Sequence, residues 1–279
     1  MRRLPAALLG AAVTTGTSAV LQESPPGGAA RWNRTNYRGR TVSLLGGVST
    51  ALGATVAAVA TGGRSAAAAA IVTVTGGVLG ALDDLDLEAP AAKGFRGHLT
   101  ALSRGEITSG AVKLLGIGAA SVLAAAVGTG LGMRSEPGRA ASTRALDVLA
   151  SGALIAGTAN LVNLFDLRPG RGLKVVGLVA APLAVSGGPG APLAAGALGV
   201  VGASWHEDLA EQTMLGDTGA NALGALVGTA LALHPHARGR HVALAVVVAL
   251  TAVSEKVSFS RVIASTPGLR EADTWGRLG

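Results

Sequence analysis

The 279-residue chain contains no cysteine, which excludes disulfides, cysteine-ligated zinc and thiol catalysis. Aromatic residues make up only 3% of it. A transmembrane barrel needs aromatic girdles and alternating strands, so that class is excluded as well. Charge is also scarce, at 14% Asp, Glu, Lys and Arg against the roughly 25% usual in soluble proteins. A soluble domain of this size must cover its surface with polar groups, and this chain has too few.

Apolar residues account for 49% of the chain and glycine for 42 positions. The apolar residues fall in blocks at about 5–21, 44–62, 66–82, 110–131, 145–165, 173–186, 190–204, 219–233 and 241–254. Each approaches the ~20 residues that a helix needs to cross a bilayer core. The expected fold is therefore all-α, a polytopic membrane bundle of about nine transmembrane helices forming one domain over residues 1–279. Gly and Ala let helix backbones approach closely in lipid, which suits a tight bundle and permits a homodimer. Pro182 and Pro192 fall within the sixth and seventh blocks, where neighbouring helices satisfy the carbonyls that proline frees.

The net charge is +7. In a soluble protein this would suggest nucleic acid, but the basic residues lie mainly in short loops between apolar blocks, so a membrane and not a nucleic acid is the expected partner. With the N-terminus outside and the C-terminus in the cytoplasm, fifteen of the 23 Lys and Arg residues lie inside, as the positive-inside rule favours. Arg2 and Arg3 oppose this orientation, and the first 21 residues also resemble a signal peptide, although no small-x-small cleavage site precedes Gln22. The expected cytoplasmic loops are about 22–43, 83–109, 166–172, 205–218 and 255–279.

Three polar clusters fall on that face. Asp83, Asp84, Asp86 and Glu88 end the third block. Carboxylates at a membrane boundary are costly unless hydrated, paired or metal-bound, and hard cations such as Mg²⁺ take such oxygens; the alternative is a solvated helix end. Asn160, Asn163 and Asp166 recur every third residue, about 60° apart, and form one polar stripe ending the fifth block. Gly216-Asp217-Thr218-Gly219 precedes the eighth block. Asp217 or Thr218 would serve as a helix cap, while the helix N-terminus would offer free N–H groups to a phosphate, with Asp217 holding a bridging metal.

Together these clusters resemble the polyprenyl-phosphate sugar-1-phosphate transferase superfamily, which includes phospho-N-acetylmuramoyl-pentapeptide transferase. Asn36-Tyr37-Arg38-Gly39 and Gly46-Gly47 are similar to its first cytoplasmic loop, and Asp83-Asp84 with Pro90 and Lys93 to its Asp-Asp segment. The resemblance implies transfer of a sugar-1-phosphate from a UDP-sugar to an undecaprenyl-type phosphate with release of UMP, in cell-envelope glycan synthesis at a bacterial inner membrane. It implies Asp83, Asp84 and Asp217 as catalytic, and Mg²⁺ on Asp217 with Asp166. Asn160, Asn163, Asp166, Lys93, Arg168 and Arg171 would bind substrate.

The chain departs from the family pattern in two places. Pro169 stands where the family keeps a second aspartate, with Arg168 and Arg171 beside it, and residues 254–261 lack the histidines of the family's last loop. Two other classes therefore stay open. One is a catalytically inactive relative that binds a lipid-linked or nucleotide ligand in a cell-envelope complex. The other is a transporter, whose acids would sit at span centres and not at helix ends.

Overall fold

The computed structural model describes residues 2–86, 109–129 and 141–277. Among the described residues, nine helices of fifteen residues or more coincide with the nine apolar blocks. These are α1 (Arg3–Glu23), α3 (Leu45–Ala60), α4 (Gly63–Leu85), α5 (Ser109–Thr129), α6 (Ala141–Phe165), α7 (Arg171–Val185), α8 (Ala191–Leu209), α9 (Gly216–Ala232) and α10 (Ala237–Ser254). The short helices α2 (Ala29–Trp32), α11 (Phe259–Ser265) and α12 (Leu269–Thr274) lie between or after them.

Among the described residues, five helices are long and apolar enough to cross a membrane: α1, α4, α6, α10 and, over Gly110–Gly128, α5. The others are shorter or carry charge. The 15–19 residues of α7, α3, α9 and α8 reach roughly 23–29 Å at about 1.5 Å per residue, against about 30 Å of hydrocarbon. Large apolar side chains point outward from the periphery, including Leu8, Leu178, Val185 and Val248, with Val185 80% exposed. An apolar belt of this kind has no place in water, and with the five spans it marks a multi-pass membrane protein.

The core is organised around α9, whose side chains are buried almost throughout. Helices α3, α4, α6, α7 and α8 pack against it, α1 lies outside α3 and α8, and α10 lies outside α6. Glycines make these approaches possible. A Cβ on Gly224 would lie 2.8 Å from Ala159 Cα, and one on Gly228 2.9 Å from Ile155 Cα, so α6 and α9 touch backbone to backbone. On α1 the buried residues Ala6, Gly10, Thr14 and Ser18 recur every four positions and form its packed face.

Several expectations need correction. The all-α expectation holds among the described residues, with the addition of a small hairpin in the first loop, where β1 (Asn33–Thr35) pairs antiparallel with β2 (Thr41–Ser43) in the register Asn33↔Ser43. The expected loop 205–218 shrinks to residues 210–215, because α8 continues through Leu209 and α9 begins at Gly216. Pro192 sits in the first turn of α8, where its missing N–H costs nothing, so of these two prolines Pro182 alone lies in a helix interior. The expected loop 255–279 contains α11 and α12, and most of the expected loop 83–109 lies outside the described residues.

Polar segments gather at one end of the bundle. There the 210–215 segment joins the hairpin, with Ser43 N–H donating to Gln212 O (3.1 Å) and Met214 N–H to Ser43 O (2.9 Å). At the other end Arg2 and Arg3 donate to Thr61 O (2.9 Å) and Ser186 O (2.5 Å), tying α1 to the ends of α3 and α7.

A Cβ at Gly47 would strike the Leu215 carbonyl, which backbone cannot yield cheaply, whereas one at Gly118 meets nothing within 4 Å. Gly47→Ala is expected to destabilise the protein by about 1–3 kcal/mol, and Gly118→Ala to be neutral or mildly stabilising. Thermal melting in detergent checks this; a Gly47→Ala midpoint at or above that of Gly118→Ala would contradict the packing described.

Candidate functional site

The start of α9 is buried, so its first N–H groups need acceptors from outside the helix. Asp84, from the last turn of α4, supplies them. It accepts from Asp217 N–H (3.0 Å), Thr218 N–H (2.9 Å) and the Thr218 hydroxyl (2.6 Å). Gly216, with φ +55°, and Gly80, against the Asp217 and Thr218 backbone, leave room for this contact. The N–H groups expected to be free for a phosphate are thus taken by a carboxylate of the chain itself.

Lys113 on α5 reaches across to the same point. Its ammonium lies 2.6 Å from Asp83 Oδ2 and also pairs with the Asp217 carboxylate. All three side chains are no more than a quarter exposed. Arg34 of the hairpin donates to the Asp84 carbonyl oxygen at 2.5 Å, bringing a second cation to the end of α4.

Asp166 follows α6 and accepts a backbone hydrogen bond from Gly216. Its Oδ1 would be 2.8 Å from a Cβ on Gly172, so the start of α7 presses against it. Asp208, buried at the end of α8, accepts from Gly170 N–H and Leu215 N–H. Burial, and then the charges of Asp208, Asp217 and Asp84, push the Asp166 carboxyl well above the ordinary carboxylate range.

Beside Asp166 and Asp208 opens a cleft of about 200 Å³, whose lining includes Asn36, Tyr37, Arg168, Glu211 and Met214. The Arg168 guanidinium lies over the Tyr37 ring, 3.9 Å from its centroid, a cation–π distance. Glu211, with φ +57°, is the one non-glycine described residue in the left-handed region. Its buried carboxylate accepts from Asn36 Nδ2 (2.5 Å) and pairs with Arg38 (3.2 Å) and Arg40 (3.9 Å), which fastens the hairpin over the cleft.

Of the residues expected from sequence, Asp83, Asp84, Asp166 and Asp217 meet at this end of the bundle, and Arg168 lines the cleft. Asn160 and Asn163 are half-buried on α6, about two turns and one turn before Asp166. Arg171 is buried against Asp273, 2.7 Å from Nε to Oδ1, and Ser260, 2.8 Å from Nη1 to Oγ. Lys93 lies outside the described residues, and His206 is exposed. No group of three or more His, Asp or Glu side chains among the described residues is arranged to hold a metal ion.

Sequence reasoning missed Lys113, Asp208 and Glu211 as members of the site. A signal was present for the first, since Lys113 is the sole charged residue in the 110–131 block, and a charge within an apolar span marks function or a buried partner. Compared with models of known protein families and with curated proteins, the sequence matches none.

The raised Asp166 carboxyl has a sign that can be measured. The folded chain holds this proton more tightly than the unfolded chain, which favours folding at pH below the ordinary carboxylate value. That advantage is lost as pH rises toward the folded value. Asp166→Asn should therefore melt above wild type at pH 7 with EDTA present, and the gap should close near about pH 4. An equal or lower midpoint for Asp166→Asn at pH 7 would contradict the crowding described.

Proposed function

We propose that the protein transfers a sugar-1-phosphate from a UDP-sugar to an undecaprenyl-type polyprenyl phosphate, releasing UMP, in cell-envelope glycan synthesis. The observation that carries this reading is the meeting of Asp83, Asp84, Asp217 and Lys113 at one end of an apolar helix bundle. Acids and cations at a membrane boundary suit a reaction between a lipid phosphate and a soluble anion. In this reading nine helices span a bacterial inner membrane, with the N-terminus outside and the site facing the cytoplasm.

The donor set fits Mg²⁺. Asp83 and Asp217 already direct carboxylate oxygens at one cation, the Lys113 ammonium. Mg²⁺ is commonly bound by one or two carboxylates completed by water and substrate phosphates, so a closed cage of acids is not required. Asp217 would hold it, with Asp166 as the second acid that the family resemblance implies. When bound, it would neutralise charge developing on the phosphates.

An oxygen of the lipid phosphate attacks the sugar-linked phosphorus. The new O–P bond forms as the phosphoanhydride bond breaks, and the bridging oxygen leaves with UMP. Asp84 has both oxygens committed to the start of α9, so it positions Asp217 and leaves Asp83 to orient the attacking phosphate. That phosphate is largely ionised near neutral pH, so no strong base is needed. Lys113, Arg34 and Arg168 supply positive charge to the anions. The 200 Å³ cleft is smaller than the roughly 300–1,000 Å³ typical of ligand pockets, so it takes one end of a nucleotide sugar and not the whole molecule.

A second reading, binding without turnover, draws on Lys113 itself, which neutralises Asp83 and Asp217 without a metal. One assay separates the two. Purified protein with undecaprenyl phosphate, Mg²⁺ and a panel of UDP-sugars should release UMP, and Asp217→Asn should lower the rate at least about 100-fold. Absence of release with every sugar, or equal release by both proteins, would refute the transferase. UDP-sugar binding without release would favour the second reading.

A further inference from the structure

The segment after α10 folds back over the turn that joins α6 to α7. Phe259 stacks on Phe165, the last residue of α6, with ring centroids 4.9 Å apart and planes within 7°. Trp275 packs on Trp205 of α8 at 5.6 Å. Between these aromatic anchors lies a group of charges. Arg171 grips Asp273 with two parallel hydrogen bonds, Nε to Oδ1 at 2.7 Å and Nη2 to Oδ2 at 2.9 Å. Arg277 donates to the same Oδ1 (2.7 Å) and to Pro169 O (2.8 Å). Lys174 donates to the carbonyls of Asp273 (2.6 Å) and Trp275 (2.7 Å).

These contacts converge on one short piece of chain. Pro169 and Arg171 flank Gly170, whose N–H goes to Asp208, and Gly172 presses on Asp166. The turn thus has the cluster's carboxylates on one side and the C-terminal segment on the other. Among the described residues Asp273 is the one side-chain carboxylate hydrogen-bonded to Arg171 and Arg277, and Asp208 acts on Arg277 and Lys174 through its charge alone. Without it these cations would face one another in a poorly hydrated place, where like charges repel strongly.

We propose that residues 258–277 form a clamp that holds the 166–171 turn and so sets Asp166 and Asp208, and that Asp273 is the positioning residue on which the clamp depends. It rests on the reading of Asp166 and Asp208 as part of the site. Burial alone would push the Asp273 carboxyl up, but the hydrogen bond and charge of Arg171, followed by those of Arg277, outweigh it and hold the carboxyl below its ordinary value. The clamp therefore stays charged throughout the neutral range.

The test is amide hydrogen exchange on the full chain in detergent, with Asp273→Asn and Asp273→Glu beside wild type. Asp273→Asn should speed exchange of residues 166–174 at least about tenfold and leave α9 unchanged, while Asp273→Glu restores part of the protection. In the UMP-release assay Asp273→Asn should lower kcat/KM at least about tenfold, again with partial rescue by Glu. Unchanged exchange at 166–174, or an equal rise in every helix, would overturn the clamp. So would an opened turn with wild-type kcat and KM, although the transferase reading would stand. If wild type releases no UMP, that reading fails and the exchange result alone decides the clamp.

Discussion

Among the described residues Lys113 is the one cation that touches the acids of two other helices, and the polar end of the bundle depends on it. Asp83 on α4 and Asp217 on α9 both turn a carboxylate toward its ammonium. In a bundle with an apolar periphery, two such carboxylates in proximity would repel each other and resist leaving water. One ammonium between them removes both penalties and joins α4, α5 and α9 at a single point. Asp84 adds a second tie from the same turn of α4, by completing the hydrogen bonds that the start of α9 cannot make within its own helix.

That electrostatic arrangement is possible because the backbones come close together. Gly47 and Gly80 line the entry to α9, and Gly224 and Gly228 let it lie against α6. In lipid, where apolar side chains gain nothing by leaving their solvent, such close packing and interhelical polar contacts are what hold helices together. Small residues therefore determine where α9 begins, and its beginning determines where Asp217 points. The route from composition to chemistry passes through glycine before it reaches any acid.

The helices were legible in the sequence because crossing hydrocarbon demands long uninterrupted apolar runs, and each run became a helix. Boundaries were less legible. The polar residues Trp205, His206, Glu207 and Asp208 continue α8 for another turn, because Asp208 finds two backbone donors at that end. Asp83, Asp84, Asp166 and Asp217 were visible as acids at helix ends, but their division of labour was not. Asp84 looks like Asp83 in sequence and differs only in facing a helix start. Lys113 and Asp217 are 104 residues apart, and Arg171 and Asp273 are 102 apart, so no local pattern announces either pair. Arg171 looked like a phosphate ligand beside a missing aspartate; its partner came instead from a tail that reads as a polar end.

The most direct test of this account is a double-mutant cycle on Lys113 and Asp217, using Lys113→Met, Asp217→Asn and the pair, with unfolding followed in detergent. If Lys113 is the counter-ion of the cluster, Lys113→Met takes the cation away from Asp217, Asp217→Asn leaves Lys113 with Asp83, and the double variant loses less than the two single losses added, by a coupling of at least about 1 kcal/mol. Additive losses, with no coupling between the two positions, would contradict it.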